Sequence, residues 1–98
     1  MSKAFQKRLQ VVLRKGNLRT ADLARWFDRP HATVSGWVKN GHQPGGGPSD
    51  IDHAFAMLGL LETLIQKRKG FPVPRLSPRQ RIEHLNRWRD TVMNAKGA

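Results

Sequence analysis

Few side chains in this 98-residue chain are suited to making or breaking bonds. It has no Cys, which removes thiol nucleophiles, thiolate metal sites and disulfides together. His31, His42, His53 and His84 show no metal-ligand spacing and have no Cys companions. Asp50, Asp52 and Glu62 could be taken for a catalytic acid set, but Asp50 and Asp52 fall where a helix should start, and capping explains them. Gly45-Gly46-Gly47 could cradle a phosphate, yet no Gly-Lys-Ser/Thr follows and no strand precedes, so the run is read as a connector. No Ser, His and acid arrangement stands out. No catalytic residue, metal or cofactor is expected, and the chain is read as a non-enzyme.

What remains is charge. Eighteen Lys and Arg face seven Asp and Glu, a formal net charge of +11. Cations in that excess suit a polyanion, because neutralising phosphates releases their condensed counterions. The charge is also ordered along the chain: residues 1–49 carry +7, residues 50–66 carry −3 and residues 67–98 carry +7. A uniformly solvated tail would not change sign twice, so a folded body with basic faces is expected.

With 38% hydrophobic residues and three Trp, the chain has material for one core and not for two. No apolar run approaches the roughly 18–20 residues of a membrane helix, and no signal-peptide pattern opens the sequence. A cytoplasmic protein with no membrane partner is expected. The first and last helices are cationic and amphipathic, which also suits a membrane surface, but a nucleic-acid partner accounts for the charge.

The elements that must position these cations are helices, since apolar residues recur at three-to-four spacing and nowhere alternate. Ser2 is read as the cap of a first helix carrying Phe5, Leu9, Val12 and Leu13, ended by Gly16-Asn17. Thr20 should cap a second, with Leu23, Ala24, Trp26 and Phe27 apolar, stopping near Asp28 because Pro30 disfavours helical geometry at Arg29. A third runs from Pro30 or His31 to Lys39, with Val34, Trp37 and Val38 inward. Ser49 or Asp50 caps a fourth, built on Ile51, Phe55, Leu58, Leu61 and Ile65, with Lys67-Arg68-Lys69 in its last turn. Residues 1–70 form one domain on this reading, and 71–77 a proline-containing connector lying against it. Ser77-Pro78-Arg79-Gln80 then opens a basic amphipathic helix over 78–98 with a capping box, which should either pack back on the body or pair with its copy. Its stripe is Ile82, Leu85, Trp88 or Arg89, and Val92, and its end should fray from Asn94. The fold class is all-α. Trp26 and Trp37 are read as core residues rather than base-stacking platforms.

The stretch from Thr20 to Gly41, T-A-D-L-A-R-W-F-D-R-P-H-A-T-V-S-G-W-V-K-N-G, resembles the helix-turn-helix of the phage-repressor and Cro-like (XRE-type) DNA-binding proteins. Leu23, Ala24 and Phe27 match the family's apolar, small and apolar positions in the first helix of the motif. Thr33, Val34, Ser35 and Trp37 match the second. Asp28 stands where the family usually has a left-handed Gly, and Asp tolerates that conformation better than most residues. Arg29 replaces an apolar residue, and Pro30 replaces a Ser or Thr cap. The resemblance covers about residues 3–65 and leaves the last third of the chain outside it.

A helix roughly 10–12 Å across fits the major groove, where base edges present a readable pattern. With its apolar side inward, the third helix would offer His31, Ala32, Thr33, Ser35, Gly36 and Lys39 to the bases. Arg19, Thr20, Arg29 and Asn40, with the helix's first amides, are the phosphate-contact candidates. The resemblance implies a phage or bacterial regulator, repressor-like, acting as a dimer on double-stranded DNA half-sites about one turn apart. A phage DNA-packaging component such as a small terminase subunit, and a basic protein binding RNA or DNA without specificity, are the alternatives.

Overall fold

The computed structural model describes residues 3–97, with side chains through Asn94. Five helices make up most of the described residues and no strand occurs among them, so the protein is all-α. The expected cap at Ser2 lies outside the described residues.

Helix α1, Ala4–Lys15, sends Phe5, Leu9 and Val12 into the core and turns Lys7, Arg14 and Lys15 outward. It ends on a left-handed Asn17, with the Leu18 N–H donating to the Leu13 carbonyl at 2.8 Å. Helix α2, Thr20–Phe27, begins with Thr20 already inside the helix, so the cap is Arg19 and not Thr20. Arg19 has no oxygen to lend; Asp22 supplies one instead, accepting the Arg19 N–H on Oδ2 at 2.8 Å. Asp28 closes α2 in the left-handed region, φ 57° and ψ 50°. The Arg29 N–H returns to the Ala24 carbonyl there, at 3.0 Å.

Helix α3, His31–Lys39, follows at once. Its C-terminal end is tied to α1, where Gln6 and Gln10 both donate to the Val38 carbonyl, at 3.0 and 3.2 Å. Helix α4, Pro48–Gln66, is capped at Gly47 rather than at Ser49 or Asp50, because the Asp50 carboxylate reaches back to the Gly47 N–H. Ala54, Met57, Leu58, Leu61 and Leu64 face the core, while Phe55 stays 37% exposed against Phe5. The helix stops at Gln66, so Lys67-Arg68-Lys69 lie in the turn beyond it rather than in its last turn.

Trp26, Trp37, Phe27 and Phe5 are sealed in the core. Trp37 makes edge contacts with Phe5 and Phe27, at 5.7 and 5.5 Å between ring centres. The Trp26 indole N–H is satisfied by the Met57 carbonyl at 2.9 Å, so this polar tip costs nothing to bury. The connector lies on the body as expected: Phe71 and Val73 are buried, and Val73 exchanges hydrogen bonds with the Gly16 carbonyl and the Asn17 amide, both 2.8 Å.

Helix α5, Pro78–Gly97, opens with the predicted reciprocal bonds between Ser77 and Gln80 and remains helical past Asn94, where fraying was expected. Its inward face is Arg81, Leu85, Trp88 and Val92; the last three are members of the predicted stripe, and only its first position differs, with Arg81 inward and Ile82 left 37% exposed. Gly70 makes room for it: a Cβ there would fall 2.0 Å from the Trp88 indole nitrogen, and the backbone is left-handed, φ 81°. The radius of gyration, 12.9 Å, is that of one packed body of this length, about 13 Å, with α5 folded onto α2.

Candidate nucleic-acid interface

An α-helix turns about 100° per residue, so a nine-residue helix shows each side of itself twice or more. In α3 the buried side is Val34, Trp37 and Val38. His31, Ala32 and Lys39 are exposed and Ser35 is half-buried. These four fall within one arc of about 100°, with His31, Ser35 and Lys39 in line at i, i+4 and i+8. All but His31 and Lys39 are small. The arc is therefore low in profile at its middle, with a ring at one end and an ammonium at the other.

Two of the expected base-facing residues fall elsewhere. Thr33 is exposed but lies on the far edge, across from the arc. Gly36 is buried, contrary to the expectation, because the chain turns back after Gly41 and lays His42 over it. A Cβ on Gly36 would stand 2.9 Å from the His42 ring nitrogen, and the His42 N–H donates to the Gly36 carbonyl at 3.2 Å. His42, itself exposed, occupies that stretch of surface.

Among the phosphate candidates, Arg19 is exposed at the start of α2, Thr20 is half-buried in its first turn and Asn40 is exposed at the end of α3. Arg29 is half-buried in the turn between the two helices, its guanidinium 3.8 Å from Asp50. No side chain caps α3, so its first amides have no side-chain acceptor. Arg29 and His31 both line a cleft of about 410 Å³, formed by the outer face of α2, the start of α3 and α5. Arg19 lines a smaller neighbouring cleft between α2 and α5, and Arg25 borders both. Arg25 and, from α5, Arg89 are cations of this face that the periodicity argument did not single out. The signal for Arg25 was present in its outward helical position; that for Arg89 required knowing which way α5 packs.

What fixes α5 is a buried ion pair. Arg81 and Asp22 are 6% and 7% exposed, with 2.5 Å between nitrogen and oxygen. The same guanidinium donates to the Asn17 carbonyl at 2.8 Å, so the pair ties α5 to both ends of the α1–α2 turn. Asp22 thus serves as helix cap and as the anion that holds the last helix. A second, half-exposed pair, the bidentate Arg8–Glu62 contact between α1 and α4, strengthens the hold of Arg8 on its proton, chiefly through the hydrogen bond to Glu62 and against the effect of burial. Arg8 also lies over the Phe55 ring, 5.9 Å from its centre.

No cluster of metal-ligating side chains occurs among the described residues, and no described helix is long and apolar enough to cross a membrane. Compared with protein-family models, curated proteins and solved structures, the chain matches none.

Proposed function

We propose that this chain binds duplex DNA and reads its sequence with α3 in the major groove, as a repressor-like regulator of phage or bacterial type acting as a dimer. The observation that carries this reading is the division of α3: Val34, Trp37 and Val38 anchor it, while the exposed His31, Ala32 and Lys39 and the half-buried Ser35 share one arc. Cations on α2 and in the following turn flank that arc, as phosphate contacts must if they are to set its register on the duplex. The left-handed Asp28 supports the helix-turn-helix resemblance at the position where the motif requires such a residue. Ala32 suits a thymine methyl, Ser35 either base type, and His31 a guanine acceptor. Trp26 and Trp37 are sealed in the core, which argues against single-strand stacking on either.

Selection of bound fragments from a random duplex pool tests the reading. The expected result is an enriched motif, repeated in inverted orientation with half-sites about 10 base pairs apart. Ser35→Ala should then weaken that duplex by about 1–3 kcal/mol and leave a scrambled duplex unaffected. Binding without enrichment, or an equal loss on both duplexes, overturns sequence reading; enrichment of an unrepeated motif overturns the dimer.

A further inference from the structure

We propose that the cleft between α2, the start of α3 and α5 holds a backbone phosphate of the same duplex, with Arg25 and Arg89 as its cations and Asn86 as a further donor. The inference rests on the duplex-binding reading and adds to it a contact from the part of the chain outside the helix-turn-helix resemblance.

The charge balance of the cleft is the first argument. Arg25, Arg29 and Arg89 line it together with His31 and Asn86, and Asp28 is the sole carboxylate among the described residues that line it. Asp28 is 3.9 Å from the Arg89 guanidinium, and Arg29 leans 3.8 Å toward Asp50 outside the cleft; both lie at the outer limit of an ion pair. Among the described residues Arg25 has neither an ion pair nor a side-chain hydrogen bond. Like charges gathered on a concave surface repel one another, and an anion seated among them relieves that repulsion.

Preorganisation is the second. Arg89 donates from Nε to the Trp26 carbonyl at 3.1 Å, which fixes the plane of its guanidinium and leaves the terminal nitrogens toward the cleft side, near Asp28. The helix that carries it is locked by the buried Arg81–Asp22 pair two turns earlier. A guanidinium held this way loses little side-chain entropy when a phosphate arrives. Ala21 and Ala24 line the cleft from α2, and their short side chains let an oxyanion approach the helix closely. The similarly sized cleft between α1 and α4 differs in both respects: Val11, Val12 and Ile65 make it more apolar, and although Lys15 and Arg68 also line it, no side-chain hydrogen bond among the described residues orients either cation as the Trp26 carbonyl orients Arg89.

The test compares full-length wild type, Arg25→Gln and Arg89→Gln on a labelled 20-base-pair duplex of scrambled sequence at several KCl concentrations. Each variant should flatten the slope of log K against log salt by about 0.9, so that affinity falls about 3.5-fold less between 50 and 200 mM salt than in wild type. Preference between enriched and scrambled duplex should not change. Among the described residues the exposed Arg25 side chain has no ion pair or hydrogen bond to lose, so its variant remains informative even if Arg89→Gln, which loses the bond to Trp26, is less stable. Wild-type binding with an unchanged slope in Arg25→Gln overturns the phosphate site and leaves the duplex reading standing; absence of wild-type binding overturns the duplex reading itself. Inorganic phosphate supplies the other arm. If it raises the melting temperature of wild type and not of Arg25→Gln while the DNA slopes stay equal, the cleft takes free oxyanions and the duplex contact is overturned.

Discussion

Helices α3 and α5 each carry a polar side and an apolar side, yet their polar residues meet different fates. In α3 every buried residue is apolar or Gly, and the polar ones are left outside with few contacts. In α5 the buried face includes a charge: Arg81 is only 6% exposed, and Arg89 is bonded to the end of α2. The polar side of α3 is left largely to solvent; α5 uses two of its cations for bonds within its own protein. The basic residues of the two ends of the chain are equal in number, and their count alone does not distinguish the two uses.

The sharpest way to break this contrast is at Arg81. If α5 is part of the body, Arg81→Ala should cost about 3–5 kcal/mol, because Asp22 is left as a buried anion with only the Arg19 N–H for company. Against a total of about 5–15 kcal/mol, that is a large share. The urea midpoint should fall with the m-value unchanged. Replacing both partners with apolar residues, Asp22→Leu with Arg81→Met, should recover much of the loss, since no charge is then stranded. A cost below about 1 kcal/mol for Arg81→Ala would mean that the pair does not anchor the helix.

Next in size is Leu85, which is 1% exposed, against its neighbour Ile82, at 37%. Leu85→Ala should destabilise by about 2–5 kcal/mol, and Ile82→Ala by about 0.5 kcal/mol or less. Equal losses in thermal or urea unfolding would restore the stripe that hydrophobic periodicity suggests and contradict the packing of α5 seen here.

That pair of residues also shows why part of the fold was legible and part was not. Helix positions followed from apolar spacing and from local chemistry that acts within a few residues, such as the Ser77–Gln80 box and the left-handed Asp28. The connector was placed against the body because Phe71 and Val73 are apolar and extended. Leu85, Trp88 and Val92 pack inward as their spacing suggests, and only the first position of that stripe differs, because spacing prefers the apolar Ile82 to Arg81. What overrides that preference is Asp22, 59 residues away in sequence, whose burial demands a cation. The same kind of long-range fact hid the covering of Gly36 by His42, since a small residue on an outward helical position gives no sign that a loop will fold over it. Candidates on the α3 arc were recoverable from the helix alone; the α2–α5 cleft needed the tertiary packing that joins them.

The smallest expected effect separates two identical residues on α5. Arg87 and Arg89 are two positions apart and therefore about 200° apart around the helix. Arg89 lines the cleft beside α2 and α3, while Arg87 lies with Glu83 and His84 along the other side. Both add one positive charge to the protein's long-range field. If net charge alone governs DNA affinity, Arg87→Gln should flatten the salt slope as much as Arg89→Gln does. If a located contact is required, Arg87→Gln should leave the slope unchanged and stability within about 0.5 kcal/mol of wild type. The difference between the two slopes then measures what position adds to charge, and equality between them would reduce α5 to a source of diffuse positive potential.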